Sequence, residues 1–211
     1  MATIDLPAPC GLSALMEEPI TPGLRVGLLG GSFNPAHDGH LHISVEAMRR
    51  LGLDQIWWLV SPQNPLKPQE DMGEFTARFE SARAMATHPK LRVTDLESQL
   101  GLTYTVDTLT ALTSMGPQVH FVWLMGADNL IQMPRWRDWQ KIVGMMPIAV
   151  LARPGYNRSA PLGTVATRFV QNRIPAEKAL LLADLEPPAW VFLPIPLHPA
   201  SSTAVRAKKR Q

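Results

Sequence analysis

Short apolar stretches alternate with amphipathic stretches along most of the chain. The apolar stretches predict strands, and they lie at residues 24–29, 55–60, 91–95, 119–125 and 147–152. The segments with helical spacing predict helices, and they lie at residues 37–51, 74–87, 105–115 and 136–145. Because apolar strands that alternate with helices are typical of a parallel sheet covered on both faces, we predict an α/β fold with a doubly wound parallel sheet.

The chain has 211 residues, enough to bury one sizeable core, and we predict a single domain. Residues 1–23 contain four prolines and show no periodicity. We therefore expect a loose extension over residues 1–23 and the folded domain over residues 24–211.

Composition and charge narrow the class of protein. Apolar residues make up 45% of the chain and charged residues 18%, which is ordinary for a folded globular protein. The formal net charge of +2 predicts neither a nucleic acid nor an anionic membrane as partner. No apolar run is long enough to span a bilayer, and no basic segment precedes an apolar run at the N-terminus, so we expect a cytoplasmic protein. The one cysteine, Cys10, excludes an internal disulfide and a cysteine-based zinc site.

The loop after the first predicted strand has the features of a phosphate site, since ligands of parallel sheets bind beyond the carboxyl ends of the strands. Gly30 and Gly31 end that strand, and a glycine pair lets the backbone turn and approach a ligand. The predicted helix begins near His37, where its unpaired amides favour an anion. His37 and His40 share one helical face, and Gly39 between them leaves room for a phosphate.

Two simpler interpretations compete with phosphate binding. A glycine pair after a strand is often only a tight turn, and this loop lacks the complete GxGxxG pattern. Two histidines at this spacing can also bind a metal, although no third ligand is evident nearby in the sequence. The combination of strand, glycine loop and helix start favours phosphate over both.

The segment Gly30-Gly31-Ser32-Phe33-Asn34-Pro35, followed by His37-Asp38-Gly39-His40, resembles the HxGH signature of the nucleotidylyltransferase superfamily. It is most similar to the bacterial nicotinate-nucleotide adenylyltransferases, and the similarity extends over most of residues 25–206. The resemblance implies a Rossmann-like form of the doubly wound sheet. It also implies that ATP contacts Gly30, Gly31, Ser32, Phe33 and Gly39, and that the mononucleotide contacts Asn34.

Two further segments resemble substrate-binding parts of that family. Lys67 lies in a loop that stiff prolines hold after the second strand, where an ammonium can meet a phosphate. Tyr104 and Thr105 begin a predicted helix whose amides favour a carboxylate, and the resemblance places the pyridine pocket there. Without the resemblance, Lys67 is typical of a solvated surface lysine and the Tyr104 segment of an ordinary helix start.

Tryptophans and glycines later in the chain extend the resemblance. Trp136 matches the family's pyridine-stacking position, and a flat aromatic face suits a cationic ring. We assign Trp139, Trp57 and Trp58 to packing instead. Gly126 and Asp128 resemble a nucleotide-contacting GAD motif, although Asp128 alone fits a helix cap equally well.

The last motif, at residues 201–206, resembles the family's ISSTxIR sequence. It would assemble two hydroxyls and a guanidinium around one anion, from Ser202, Thr203 and Arg206. An ordinary capped helix with a surface arginine is the alternative. The role of Arg153, after the fifth strand, stays open between a structural turn and the adenine side.

The resemblance implies transfer of AMP from ATP to nicotinate mononucleotide, giving nicotinate adenine dinucleotide and pyrophosphate in NAD biosynthesis. The attacking phosphate monoester has a second pKa of about 6 and is largely dianionic at neutral pH, so no general base is required. The predicted catalytic residues act on phosphates and are His37, His40, Lys67 and Arg206. Mg²⁺ is expected with ATP, held by phosphates and water rather than by a protein metal site.

Two other functions stay open at this stage. A related enzyme of the superfamily would use pantetheine phosphate or a cytidine nucleotide, and the Tyr104 and Trp136 segments favour nicotinate over these. A non-catalytic nucleotide-binding regulator would not need two sets of phosphate-binding residues, whereas this sequence keeps His37 and His40 as well as Lys67 and Arg206. The oligomeric state is not fixed by the sequence, with a homo-oligomer among the alternatives.

Overall fold

The structure is a computed structural model that describes residues 11–16, 18–63 and 72–209. Its strands are β1 (Arg25–Gly31), β2 (Gln55–Val60), β3 (Leu91–Thr94), β4 (His120–Gly126), β5 (Ile148–Leu151), β6 (Arg173–Ile174) and β7 (Trp190–Leu193). Its α-helices are α1 (Leu12–Met16), α2 (Asp38–Leu51), α3 (Phe75–Met85), α4 (Leu96–Gln99), α5 (Thr105–Met115), α6 (Ala127–Gln132), α7 (Trp139–Val143), α8 (Thr164–Arg168) and α9 (Ser202–Lys209). The longest 3₁₀ segment, Ala176–Asp184, precedes β7.

The strands described form one parallel sheet in the order β3-β2-β1-β4-β5-β7-β6. β1 lies between β2 and β4, so that Leu28 is level with Trp57 on one side and Trp123 on the other. The strand order reverses at the β1–β4 pair, and the crevice beyond such a reversal is where doubly wound sheets bind ligands. The predicted doubly wound α/β fold is confirmed.

Apolar cores cover both faces of the sheet, because successive side chains of a strand point to opposite faces. Trp57 packs in one core with Leu109 and Trp139, and Trp58 packs in the other with Met48 and Leu51. Trp57, Trp58 and Trp139 are buried, as expected for packing residues. Among the described helices, none is long and apolar enough to cross a membrane.

The predicted helix at 136–145 forms over a shorter range than expected. The chain forms α6, then the 3₁₀ turn Met133–Arg135, and only Trp139–Val143 is α-helical. Pro134 lies in the 3₁₀ turn, and proline lacks the amide that would continue the ladder of an α-helix. Trp136 therefore lies in an extended loop rather than on a helix face. The structure also adds β6 and β7, which the sequence pattern did not predict.

The described part of the N-terminal segment differs from the loose extension expected over residues 1–23. Leu12–Met16 forms α1, and the Leu12 side chain is 3% exposed within a core cluster. The Glu18 carboxylate forms an ion pair with Arg92 at 2.8 Å. A helix of five residues is too short to show a clear periodicity in the sequence, and the burial of Leu12 holds it against the core.

Candidate active site

The glycine pair belongs to the sheet, and another residue turns the backbone after it. Gly30 and Gly31 are the last residues of β1. A Cβ on Gly30 would lie 2.5 Å from the Trp123 ring on β4, so glycine is required there by packing. The residue that turns the backbone is Phe33, with φ of 43°. Its ring is buried 5.1 Å from the Trp58 ring, so Phe33 can face a nucleotide only through its backbone.

The two histidines of the HxGH segment lie side by side at the start of α2. Their ring centroids are 3.9 Å apart. The His37 backbone N–H donates to His40 Nδ1 at 3.2 Å, which leaves Nε2 as the protonated nitrogen of a neutral His40 ring. Trp58 Nε1 donates to the Ser44 hydroxyl, which in turn donates to the His40 carbonyl, each at 2.8 Å. These bonds anchor the first turn of α2 to β2.

His37 is a neutral ring in this site. Burial, followed by the nearby Arg153 and His198, lowers the pKa of His37 to about 4. A neutral His37 can take part in a hydrogen bond but adds no positive charge at neutral pH. His198 comes from the segment before α9, and its ring lies 5.5 Å from that of His42.

Gly39 is required by the packing of neighbouring groups. A Cβ at this position would lie 2.9 Å from the His37 ring and 3.0 Å from the Ala200 carbonyl oxygen. These two groups fill the space on the Cβ side of Gly39, and the predicted contact of Gly39 with a phosphate stays a prediction. A side chain there would separate the histidine loop, defined as residues 32–40, from the segment before α9.

Helix α9 docks on the histidine loop through its first and second turns. The Ser202 hydroxyl donates to the Pro35 carbonyl at 3.1 Å, and Arg206 Nη1 donates to the Asn34 carbonyl at 2.7 Å. Thr203 is exposed. The ISSTxIR-like segment thus adjoins the histidine loop, with Arg206 bound to that loop's backbone.

Arg78 is a buried cation that sequence analysis missed. Its side chain is 3% exposed, and its guanidinium donates to backbone carbonyls of three separate loops. The acceptors lie 2.6–2.9 Å away and belong to Ser32, Ser61, Pro62 and Gly73. Because Ala82 is buried one turn further along α3, an arginine on the apolar face of that helix was the available signal.

The GAD-like segment is built around an ion pair rather than a helix cap. The Asp128 carboxylate lies 3.3 Å from Arg153 Nη1, and in the described chain it makes no capping bond to α6. A Cβ on Gly126 would lie 2.4 Å from the Asp128 carboxylate and 2.7 Å from the Arg153 side chain. Gly126 therefore accommodates this ion pair.

A cavity of about 580 Å³ opens at the carboxyl ends of β1 and β4. Gly30, Gly31 and Ser32 form one wall, and Tyr104, Thr105 and Trp136 form part of the others. The Trp136 ring meets Trp123 edge to face at 6.4 Å. Three of the predicted mononucleotide contacts are thus brought together.

Two charged side chains border this cavity near Tyr104. The Arg137 guanidinium lies 3.8 Å from the centre of the Tyr104 ring and forms an ion pair with Asp107. Arg135 lines the same cavity. This wall therefore combines aromatic faces with guanidinium groups.

Most of the predicted phosphate-site residues that the structure describes, His37, His40 and Arg206 among them, do not line this cavity. Asn34 is not one of its lining residues, and its side-chain oxygen lies 3.1 Å from the position of a Cβ on Gly73. Lys67 lies outside the described residues, so its predicted contact to the triphosphate stays a prediction. Within residues 11–16, 18–63 and 72–209, no group of three His, Cys, Asp or Glu side chains is placed to hold a metal ion.

The parallel sheet, its reversal point and the histidine loop define a nucleotide-binding enzyme of the nucleotidyltransferase class. A family model described as cytidylyltransferase-like matches residues 28–208. A probable nicotinate-nucleotide adenylyltransferase of Parvibaculum lavamentivorans is 54% identical over 91% of this chain and 96% of its own. One of Ruegeria is 49% identical over 88% of this chain and 97% of its own.

A solved structure has the same fold at lower identity. The nicotinic acid mononucleotide adenylyltransferase of Plasmodium falciparum, in complex with NaAD, aligns with a TM-score of 0.65 at 19% identity. The alignment covers 87% of this chain and 83% of that one. On the model match and the identities of the bacterial relatives, the chain belongs to the cytidylyltransferase-like family, and within it to the nicotinate-nucleotide adenylyltransferases.

Proposed function

We propose that this protein transfers AMP from ATP to nicotinate mononucleotide, forming nicotinate adenine dinucleotide and releasing pyrophosphate. The observation that supports this most directly is the position of the cavity. It runs from Ser32, at the base of the histidine loop, to the N-terminus of α5 at Tyr104 and Thr105. Such a cavity gives a pyridine mononucleotide one end for its ring and another beside the phosphates of ATP.

The reaction centre would lie at the histidine pair. A phosphate oxygen of the mononucleotide attacks the α-phosphorus of ATP, the new P–O bond forms, and the bond to pyrophosphate breaks. The nucleophile is already an anion, so the protein contributes alignment and charge stabilisation rather than a base. His40 donates through Nε2 to a phosphate oxygen, and neutral His37 lies beside it as a second hydrogen-bonding ring.

The pyridine ring would bind at the other end of the cavity. Tyr104, the residue before α5, makes no side-chain capping bond within the described chain. The amides of the first turn of α5 are therefore suited to the nicotinate carboxylate, which the helix dipole also favours. Trp136 offers a ring face to the pyridinium, beside its edge contact with Trp123.

The triphosphate would lie against α9, with Arg206 and Lys67 as its cations and Ser202 and Thr203 at the helix start. ATP arrives with Mg²⁺, which neutralises phosphate charge. The phosphates and water would supply the ligands of that ion rather than a protein metal site. Nucleic acid and membrane are not partners in this proposal, and a homo-oligomer is compatible with it.

A direct assay tests the proposal. The protein is incubated with ATP and Mg²⁺ and, in separate reactions, with nicotinate mononucleotide, nicotinamide mononucleotide or pantetheine phosphate. With nicotinate mononucleotide we expect a product of the mass of nicotinate adenine dinucleotide and an equal amount of pyrophosphate. Pyrophosphate release should be faster with this substrate than with either of the other two. If only pantetheine phosphate were turned over, the proposed substrate would be wrong. If ATP bound but no pyrophosphate were released with any substrate, the protein would be a nucleotide-binding regulator rather than an enzyme.

A further inference from the structure

Glu97 is a buried carboxyl that the reaction described above does not use. It lies in the short helix α4, where Ser98 and Gln99 are exposed but Glu97 is only 6% exposed. It lines the same cavity as Tyr104, Thr105 and Trp136. A carboxyl side chain rarely occupies such a position unless it is paired or hydrogen-bonded.

The two oxygens of Glu97 have different environments. Oε1 accepts a hydrogen bond of 3.0 Å from the Thr108 hydroxyl, and Thr108 is fully buried in α5. Oε2 is buried and has no hydrogen-bond partner among the described residues. Thr108 is one turn from Tyr104, whose carbonyl accepts the Thr108 N–H at 3.2 Å. Glu97 is thus joined through Thr108 to the helix start proposed to receive the nicotinate carboxylate.

Charged and titratable groups around Glu97 come from each neighbouring element. On the segment of Glu97 itself, the Asp95 carboxylate accepts a hydrogen bond from the Gln99 amide. On α5, Asp107 forms an ion pair with Arg137, whose guanidinium also lies over the Tyr104 ring. Beyond α6, Arg135 lines the cavity, and beside β2 the Arg78 guanidinium binds the Ser61 carbonyl. β2 itself carries no charged residue.

None of these described cations forms an ion pair with Glu97. Burial accordingly raises the pKa of Glu97 to about 7, and the hydrogen bond from the Thr108 hydroxyl offsets part of that rise. The Ser61 hydroxyl also lowers this pKa, although it donates to the Gln63 carbonyl at 2.6 Å rather than to Glu97. The neutral and the ionised carboxyl are therefore both present near neutral pH.

We propose that Glu97 is a specificity-determining residue, which in its neutral form admits the nicotinate carboxylate and in its ionised form favours the carboxamide. This rests on the proposed function. A second carboxylate in the same cavity repels an ionised Glu97, whereas a neutral Glu97 can donate its proton from Oε2. The ionised form can only accept, which suits the NH₂ of the amide.

The positive pyridinium and the 5′-phosphate are common to both mononucleotides, so their effects on Glu97 cancel when the two substrates are compared. The proton bound by Glu97 on binding of the acid comes from solvent and returns to solvent on release. Preference for the acid should therefore fall as the pH rises through the titration of Glu97.

The experiment is the ratio of kcat/KM for nicotinate mononucleotide to that for nicotinamide mononucleotide, measured from pH 5.5 to 8.5 in three proteins. In the wild type we expect the ratio to fall by at least about tenfold between pH 6 and pH 8. The protonated fraction of a group with pKa near 7 falls about tenfold over that range, and the preference of the ionised form for the amide adds to the fall. In Glu97→Gln, whose amide is neutral at every pH, the ratio should be independent of pH. The control, Glu80→Gln, changes an exposed carboxylate beside Arg83 and should keep the wild-type profile.

A second measurement needs no variant. Calorimetry of nicotinate mononucleotide binding at pH 7.5, in two buffers of different ionisation enthalpy, should show net proton uptake that nicotinamide mononucleotide lacks. A flat wild-type ratio, an unchanged slope in Glu97→Gln, or equal proton uptake for both substrates would each overturn the role of Glu97 while leaving the proposed function in place. Absence of turnover with either mononucleotide at any pH would instead overturn the proposed function, and this inference with it.

Discussion

His37 and His40 are neighbours in space but are held by different forces. The His40 ring is oriented by the hydrogen bond from the His37 backbone N–H to its Nδ1. The His37 ring lies buried over Gly39, where the surrounding protein disfavours a positive charge. One ring is therefore set up to donate a hydrogen bond through a defined nitrogen, and the other is kept neutral.

Loss of the oriented donor should be felt in the rate. We expect His40→Ala to lower kcat by roughly 10²–10³-fold, the usual effect of removing one preorganised donor from a transition state. The KM for ATP should change much less. Steady-state kinetics on His40→Ala, with His88→Ala in the turn before β3 as control, checks this. Turnover close to that of the wild type would remove His40 from the reaction centre.

Burial of neutral His37 should make stability depend on pH. The unfolded protein takes up a proton at His37 below about pH 6.5, whereas the folded protein resists it until about pH 4. The free energy of unfolding should therefore decrease as the pH falls from 6.5 to 4. The contribution of His37 to that decrease is on the order of 3 kcal/mol.

Urea unfolding at pH 7 and at pH 4.5 measures this contribution as the difference between wild type and His37→Gln. The variant should lose less stability on acidification than the wild type. His88→Gln serves as the matched control. Equal losses in wild type and His37→Gln would mean that His37 is not held neutral.

At the scale of elements, Arg78 joins segments that are distant in sequence. Its guanidinium binds carbonyls in the loops after β1 and β2 and in the segment before α3. A guanidinium offers five N–H donors in a planar fork, which an ammonium cannot reproduce. The loop that carries the histidines is thus fixed relative to the loop that leads towards Lys67.

Replacement of Arg78 tests whether its hydrogen bonds hold these loops together. Arg78→Lys keeps the charge but loses most of the fork, and it should reduce the free energy of unfolding by roughly 2–4 kcal/mol, because carbonyls in the interior lose their donors. It should also lower kcat/KM at temperatures where the protein stays folded. Arg83→Lys, at an exposed position of the same helix, is the control for chemical denaturation and kinetics. A variant as stable and active as Arg83→Lys would contradict the role of Arg78.

Elements were predictable where periodicity and end signals agree. The predicted helix at 105–115 has the observed bounds of α5, because Val106, Leu109 and Leu112 form one apolar face and Gly116 follows them. Trp136 lies before α7 rather than within it, and it lines the same cavity as Tyr104. The positions of Arg78 and Glu97 depend on contacts between elements distant in sequence, which local spacing does not encode.

The molecule as a whole includes the N-terminal helix in its core. Leu12 packs near Gly116, where an added Cβ would lie 2.6 Å from the Leu12 side chain. This contact is at the C-terminal end of α5, and the substrate cavity lies at the opposite end of that helix. Stability and activity should therefore respond separately to changes at Leu12.

We expect Leu12→Ala to lower the free energy of unfolding by about 2–4 kcal/mol through lost burial and an unfilled cavity. Activity measured well below the unfolding temperature should stay near that of the wild type. Leu162→Ala, at a side chain that is 80% exposed, is the control. If Leu12→Ala unfolds at the same denaturant concentration as this control, α1 contributes nothing to the fold.

The hydrogen bond from Arg206 to the Asn34 carbonyl joins residues 172 positions apart, so it can form only long after Asn34 has been synthesised. A ribosome adding about 5–20 residues per second needs roughly 10–30 seconds to pass from one residue to the other. Every described strand of the sheet is synthesised before α9, so the histidine loop gains its bond to Arg206 only after that sheet has been made. A chain stopped after residue 200 should fold its sheet, with a near-native circular dichroism spectrum, yet bind ATP far more weakly in calorimetry than the full chain. Equal ATP affinity in the two chains would show that the nascent protein can capture nucleotide before α9 exists.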